Sequence, residues 1–193
     1  MNHADHLALL RDGVPGPAPD SVWADLGAGG GAFTLALAEL LGPGAELYAV
    51  DRNGRALREL ERELQARYPA TLAHVLNADF TRPLGLPPLD GVVMANALHF
   101  VAERDKGTTL ELLYTALKPG GRLLLVEYNA ARGNRWVPYP LTDAGWATLA
   151  RQHGFVATRL LARRPSRFLG EIFAAVNWRP EASVSPMGEP GPG

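Results

Sequence analysis

The feature that most limits what this chain can become lies in residues 22–41. A short apolar run, Val22-Trp-Ala-Asp-Leu26, leads into Gly27-Ala-Gly29-Gly-Gly31, and an Ala/Leu-rich stretch from Ala32 to Leu41 follows until Gly42-Pro43-Gly44 stops it. An apolar run of that length ending in glycines reads as a buried strand, and the Ala/Leu stretch reads as a helix. Glycines at 27, 29 and 31 let the backbone turn tightly between the two and leave no side chain where a ligand must approach. The helix presents its free N–H groups at the same place, which suits a carboxylate or another electron-rich group. Such a junction points to a strand–turn–helix unit with a binding edge.

The alternation continues along the chain. Residues 45–51 read as a strand, Arg55 to Tyr68 as a helix with Leu57, Leu60 and Leu64 inward, and 71–76 as a strand. Another strand is expected over 90–96 and a helix from Glu103 to Leu117. The turn Lys118-Pro119-Gly120-Gly121 then precedes a strand at 122–128. Thr142 is placed to cap a helix running to about His153, with Gly154 at its stop. Two strand-like runs, 155–163 and 170–178, follow with no helical pattern between them. The expected fold is α/β, a Rossmann-like doubly wound sheet, mostly parallel with one antiparallel strand at the C-terminal edge. Ligands in such sheets bind outside the carboxyl ends of the strands, where the strand order reverses.

The length of 193 residues fits one domain. Residues 1–20 read as an N-terminal helix and linker, 21–178 as the domain, and the Pro/Gly/Ser-rich 179–193 as a disordered tail. A net charge of −1 provides no global field for nucleic acid or an anionic membrane. There is no cysteine, which excludes disulfides, thiolate zinc sites and cysteine nucleophiles. No stretch approaches the roughly 20 apolar residues of a membrane span, and residues 1–13 lack the apolar core of a signal peptide, so cytoplasmic residence is expected.

Asp25-Leu-Gly27-Ala-Gly29-Gly-Gly31 resembles the first motif of the class I S-adenosylmethionine-dependent methyltransferases, an acidic residue followed by x-G-x-G-x-G. The resemblance implies S-adenosyl-L-methionine as cofactor. Gly27 and Gly29 would shape the floor under its methionine part, Gly31 would also help to hold the donor, and Asp25 would lie near its ammonium group. The same loop, read as Gly27-x-Gly29-x-x-Ala32 with Asp51 at a fitting distance, also satisfies a dinucleotide pattern. A nicotinamide-dependent oxidoreductase therefore stays open at this point, as does a donor-binding protein without catalysis. Asp51, with Arg52 beside it, ends the second strand, where a carboxylate accepts hydrogen bonds from both ribose hydroxyls; its plainer reading is a helix N-cap. Asp79 and Phe80 follow the third strand, where the resembled family binds the adenine amino group and packs an apolar side chain on the ring; a loop Asp is otherwise a turn residue. Asn96 ends the fourth strand, where the resemblance sets donor and acceptor side by side. With the Lys118–Gly121 turn, the resemblance runs over 22–128 and, through the closing strand pair, to about 178.

What the chain lacks narrows the acceptor. Enzymes that methylate adenine amines or glutamine amides carry an Asn/Asp-Pro-Pro-Tyr-like exit where this chain has Asn96-Ala-Leu-His99. Arsenic and cytosine C5 enzymes need thiols. Lysine-tetrad ribose enzymes need two catalytic lysines, and the only lysines here, Lys106 and Lys118, fit other places. What remains is similar to the small-molecule group that includes the ubiquinone and menaquinone biosynthesis methyltransferases. A small-molecule acceptor is expected, with no nucleic acid and no membrane partner, and a second copy completing the site as a homodimer is left open. His99 is the candidate general base, since its ordinary pKa near 6.5 leaves it partly neutral at cell pH; its plainer reading is a packing histidine. Arg135, Trp136 and Tyr139, in an Arg- and aromatic-dense loop after the fifth strand, are candidates for gripping an acceptor ring or anion. Glu127, Asn129 and Asn96 offer oxygens to Mg²⁺, but the Asp-rich pattern of metal-dependent phenol methyltransferases is missing and no metal is expected. Arg159, Arg163, Arg164 and Arg167 form a basic run that reads as a solvated edge.

Overall fold

A computed structural model describes residues 1–166 and 168–182. Arg167 and the expected tail from Ser183 onward lie outside the described residues. Strands β1 (Val22–Leu26), β2 (Glu46–Asp51), β3 (Leu72–Asn77), β4 (Leu89–Ala95), β5 (Leu117–Tyr128), β6 (Val156–Pro165) and β7 (Glu171–Trp178) form one sheet in the order β3-β2-β1-β4-β5-β7-β6. β1 to β5 are mutually parallel, while β7 runs antiparallel to both β5 and β6. The single antiparallel strand is present, but it lies inside the sheet, and β6 takes the edge beyond it. A two-strand hairpin with a short connection must pair antiparallel, so inserting β7 beside β5 carries β6 outward.

Side chains alternate between the two faces. Trp23, Leu47, Val93, Leu124 and Val126 join a core built with α1 (His3–Leu10), α2 (Ala32–Leu41) and α3 (Gly54–Arg67). Leu26, Val92, Met94, Leu123 and Leu125 join a second core with α4 (Glu103–Ala116) and α5 (Asp143–Gln152). The central parallel strands β1, β4 and β5 are therefore apolar on both faces, as their near-continuous hydrophobic runs require, whereas the edge strand β3 is only partly buried.

The helix ends follow their local chemistry. Asn53 caps α3 through its side chain to the N–H of Ala56, and Thr142 caps α5 through its hydroxyl to the N–H of Gly145. Asn2 and Asp5 form a reciprocal capping box on α1, which sends Leu7, Leu9 and Leu10 into the core, so the N-terminal helix is an integral part of the packing. At the other end Arg179 donates to the carbonyls of Tyr114 and Leu117 at 2.9 and 2.6 Å, which ties the chain down one residue past β7. No described helix is long and apolar enough to cross a membrane.

Candidate functional site

The strand order turns back between β1 and β4, whose chains leave toward helices on opposite faces of the sheet. A cleft of about 840 Å³ opens at this edge. Gly27, Asp51, Arg52, Asp79 and Phe80, from the exits of β1, β2 and β3, form one part of its wall. Asn96, Ala97, Phe100, α4 residues such as Arg104, and Tyr139 form the rest. Ligand pockets span about 300–1,000 Å³, and this cleft falls within that range.

The glycine turn fits this edge for two different reasons. Gly27 has φ +82°, and a Cβ there would stand 2.4 Å from the Cβ of Ala97, so the exits of β1 and β4 meet with no room between them. A Cβ on Gly29 would meet nothing within 4 Å, and the space beside it is open. Gly31 serves another purpose. It begins α2 with φ +82°, and a Cβ would stand 2.1 Å from Leu60, so it lets α2 pack against α3 and does not face the cleft.

Asp25 lies behind the glycine turn rather than in the cleft wall and is 2% exposed. Thr34 donates its hydroxyl to Oδ2 at 2.6 Å, while Oδ1 is sealed without a partner. Burial pushes the carboxyl up to about 7, opposed by the Thr34 bond and reinforced by the charge of Asp51. Sequence reading missed Thr34, because nine residues and a turn separate it from Asp25.

Asp51 receives the Gly29 N–H on Oδ2 at 2.8 Å and the Asn53 N–H on Oδ1 at 2.7 Å. The helix cap is Asn53, so the N-cap reading of Asp51 does not hold. Each carboxylate oxygen retains acceptor capacity for a further donor, and Asp51 lines the cleft. Asp79 accepts from the backbone and the hydroxyl of Thr81 at 3.0 and 2.7 Å, and it is a turn residue and a cleft residue at once. Those two bonds hold its carboxyl below the usual range, against partial burial and with help from Arg52 and Arg82. The Arg52–Asp79 contact of 3.7 Å is exposed and contributes little. Asn96 takes φ +51°, a left-handed conformation that Asn tolerates better than most residues, and its Oδ1 is sealed with no partner.

His99 is buried directly behind the wall. Its Nδ1 lies 2.9 and 3.1 Å from the two oxygens of Glu127, and its backbone N–H donates to Glu127 at 3.1 Å. Phe100 lies against the imidazole with ring centroids 4.1 Å apart, and Tyr128 meets it edge-on at 5.3 Å. Glu127 also receives the N–H of Tyr128, while Asn129 bonds Glu171 and the N–H of Asp143. Both are thereby engaged within the protein.

Of the three residues expected to grip an acceptor, only Tyr139 reaches the cleft wall. Arg135 sits over Trp136 with its guanidinium 5.7 Å from the ring, and both are exposed away from the wall. Tyr139 is clamped from both sides: its N–H donates to the carbonyl of His99 at 3.0 Å, and its carbonyl accepts from Lys106 at 2.8 Å. Lys106 is 1% exposed and also pairs with Glu103. Nothing in the sequence marks Lys106 as a buried ammonium. Arg163 and Arg164 of the basic run pair with Asp143, Glu171 and Asp5, and Arg159 donates to the carbonyl of Asp12.

A family model described as a methyltransferase domain matches residues 24–123, just over half of the chain. The chain is 32% identical over 110 residues to the carboxy-S-adenosyl-L-methionine synthase of Shewanella loihica, an alignment covering 56% of this chain and 45% of that protein. It is 32% identical over 111 residues to the ubiquinone/menaquinone biosynthesis C-methyltransferase UbiE of Pasteurella multocida, covering 54% and 39%. The chain thus spans less than half the length of these curated relatives. The fold is shared with the Burkholderia thailandensis 1,6-didemethyltoxoflavin-N1-methyltransferase solved with 1,6-didemethyltoxoflavin and S-adenosylhomocysteine. That match has a TM-score of 0.71 at 22% identity and covers 93% of this chain and 78% of that one. With its strand order, glycine turn and matched span, this chain belongs to the methyltransferase-domain family, in the class I S-adenosylmethionine-dependent group.

Proposed function

We propose that this protein binds S-adenosylmethionine along the carboxyl edge of its sheet and transfers the methyl group to a small-molecule acceptor. The observation that carries the reading is the convergence of Gly27, Asp51, Asp79, Phe80 and Asn96 on one cleft at the β1/β4 switch point. Asn96 lines the cleft with its Oδ1 unpartnered, which suits a ligand that brings hydrogen-bond donors, as an ammonium does, whereas Asp25 lies behind the wall. Asp51 would take the ribose hydroxyls and Asp79 the adenine amine, with Phe80 against the ring. Gly29 leaves open space for the methionine part.

The bound donor supplies a methyl group on a positively charged sulfur, which is already electrophilic. The protein's tasks are alignment and the exclusion of water. Phe100 and Tyr139, both exposed and both in the wall, supply the apolar surface that an acceptor ring would cover. Net charge of −1 and a cleft sized for small ligands favour a metabolite over nucleic acid.

A second reading has a specific support. Arg52, Arg82 and Arg104 all line the cleft, and three cations there suit a donor or acceptor bearing an additional carboxylate, in keeping with the carboxy-S-adenosyl-L-methionine synthase relatives. Calorimetric titration with S-adenosylmethionine, S-adenosylhomocysteine and NAD tests the shared premise: heat from the first two and none from NAD is expected, and the reverse overturns it. Incubating the protein with methyl-labelled donor and a fractionated cell extract then separates the readings. Label in a small metabolite supports methyl transfer, whereas a donor gaining the mass of a carboxyl group supports the second.

A further inference from the structure

The connection from β3 to β4, residues 78–88, contains no helix. Parallel strands are usually joined through one. Here Pro83, Pro87 and Pro88 withhold backbone N–H groups and Gly85 takes φ +65°, so the segment crosses the sheet as a loop. Between this loop and the C-terminal half of α4 lies a second pocket of about 230 Å³. Its floor is Leu26, Leu89 and Val92 from the sheet and Leu113 from α4, all of them buried.

Arg82 is the one charged residue that lines this pocket. It is exposed and has no ion-pair partner among the described residues. Its charge is felt by Asp79, but that carboxylate is bonded by Thr81 and lies 3.7 Å from Arg52. An apolar cavity of about 150 Å³ holds benzene, so the space here suits a phenyl group or a short alkyl chain. A guanidinium matches a carboxylate with two parallel hydrogen bonds. An apolar floor with one uncompensated guanidinium beside it therefore fits an anion that carries a hydrocarbon body.

We propose that this pocket is a second ligand site, separate from the donor cleft, for an apolar monocarboxylate. The hydrocarbon covers Leu26, Val92 and Leu113, and the carboxylate meets Arg82. Phe80 lines both this pocket and the donor cleft. An occupant packed behind the Phe80 ring restrains it, so a donor whose adenine lies on that ring has less ordering to supply and binds more tightly. Donor binding strengthens the carboxylate's affinity by the same factor. The linkage rests on the adenine placement proposed above, whereas the site itself does not.

Calorimetric titration of the full chain with octanoate tests the site. One octanoate per chain is expected, and 1-octanol is expected to bind about tenfold or more weakly because it offers Arg82 no counterion. Equal affinity for the two overturns the carboxylate assignment, and the absence of saturable octanoate binding overturns the site. Ala116→Leu and, from the opposite wall, Leu86→Phe put bulk into the pocket. Each is expected to cut octanoate affinity about tenfold or more while leaving S-adenosylhomocysteine affinity, measured without octanoate, unchanged. Wild-type octanoate affinity in both folded variants overturns the location. Displacement of octanoate by S-adenosylhomocysteine would put it in the donor cleft and overturn the separate site. Saturating octanoate is instead expected to tighten S-adenosylhomocysteine binding about fivefold or more, and an unchanged affinity overturns the linkage. Protein that binds octanoate at one site but no S-adenosylhomocysteine supports the site and refutes the donor reading.

Discussion

The carboxylate of Asp51 accepts the backbone N–H of Gly29 at 2.8 Å, so the end of β2 is wired to the glycine turn at the end of β1. The bond holds an acid and an open stretch of backbone on the same ledge of the cleft. It makes Asp51 both the acid proposed to take the ribose hydroxyls and the fixture of the glycine turn.

The first prediction follows from that dual position. Asp51→Ala should weaken binding of S-adenosylhomocysteine more than Asp79→Ala, because two hydroxyl-to-carboxylate bonds are at stake against one amine. Each charge-assisted bond is worth about 1.5–3 kcal/mol, so a loss on the order of 10²-fold or more is expected for Asp51→Ala. Asp51→Asn, which keeps an acceptor for Gly29, should fall between them. Calorimetry on folded variants is the check, and wild-type affinity in both alanine variants would overturn the ribose and adenine placements.

Asp25 gives a prediction about pH. Its carboxyl is pushed from 3.8 to about 7 by burial, so the unfolded chain ionises first. The stability that the neutral carboxyl contributes is fully present below about pH 4 and is lost as pH rises through 7. The loss is on the order of 4 kcal/mol. Asp25→Asn has no such proton and still offers an oxygen to Thr34. Chemical denaturation of the ligand-free proteins should show wild type losing ground to Asp25→Asn between pH 4.5 and pH 8. Parallel pH profiles would mean that the carboxyl is already ionised in the fold.

Lys106 holds the roof of the cleft through the carbonyl of Tyr139. Lys106→Met keeps most of the buried stem but removes the donor, leaving that carbonyl and Glu103 without it. A loss of about 1–3 kcal/mol is expected, the usual cost of a buried acceptor left unsatisfied. The sharper readout is hydrogen exchange at the Tyr139 amide, which is bonded to His99. It should exchange faster in the variant, and an unchanged rate would show that Lys106 does not hold this loop.

The parts of this molecule that were legible in the sequence are those set by local pattern. β1, α2, α3 and α5 lie within a residue or two of where periodicity and caps put them, and Asp51, Asp79, Phe80 and Asn96 sit in the cleft wall because each ends a strand of the same parallel set. What was not legible is pairing across distance. Nothing local says that β7 slips between β5 and β6, that Glu127 meets His99 28 residues away, or that Lys106 turns inward to a carbonyl 33 residues on. The glycine motif was also read too uniformly: Gly31 is needed by Leu60 rather than by a ligand. Composition made Arg135 and Trp136 look like a grip, but the Asn134 side chain takes the N–H groups of Trp136 and Val137, and this turn leaves Trp136 68% exposed outside the wall while Tyr139 remains in it.

That last difference sets the final prediction, which concerns the acceptor alone. Arg135 and Trp136 touch each other and not the cleft, so Arg135→Ala and Trp136→Ala should behave as surface changes, within about ±0.5 kcal/mol in stability and about twofold in turnover. Tyr139 is 42% exposed and stands in the wall, so a bound acceptor ring would cover what is left of it. An aromatic side chain buries about 150–250 Å² when fully covered. Covering roughly half of that at about 25 cal/mol per Å² contributes about 2–3 kcal/mol. Tyr139→Ala should therefore leave S-adenosylhomocysteine affinity intact and reduce kcat/KM on the accepted small molecule by about 30-fold or more. Its backbone bonds to His99 and Lys106 survive the substitution, so the loop should stay in place. If Trp136→Ala cuts turnover and Tyr139→Ala does not, the loop closes over the acceptor differently from the arrangement here, and the ring grip belongs to Trp136.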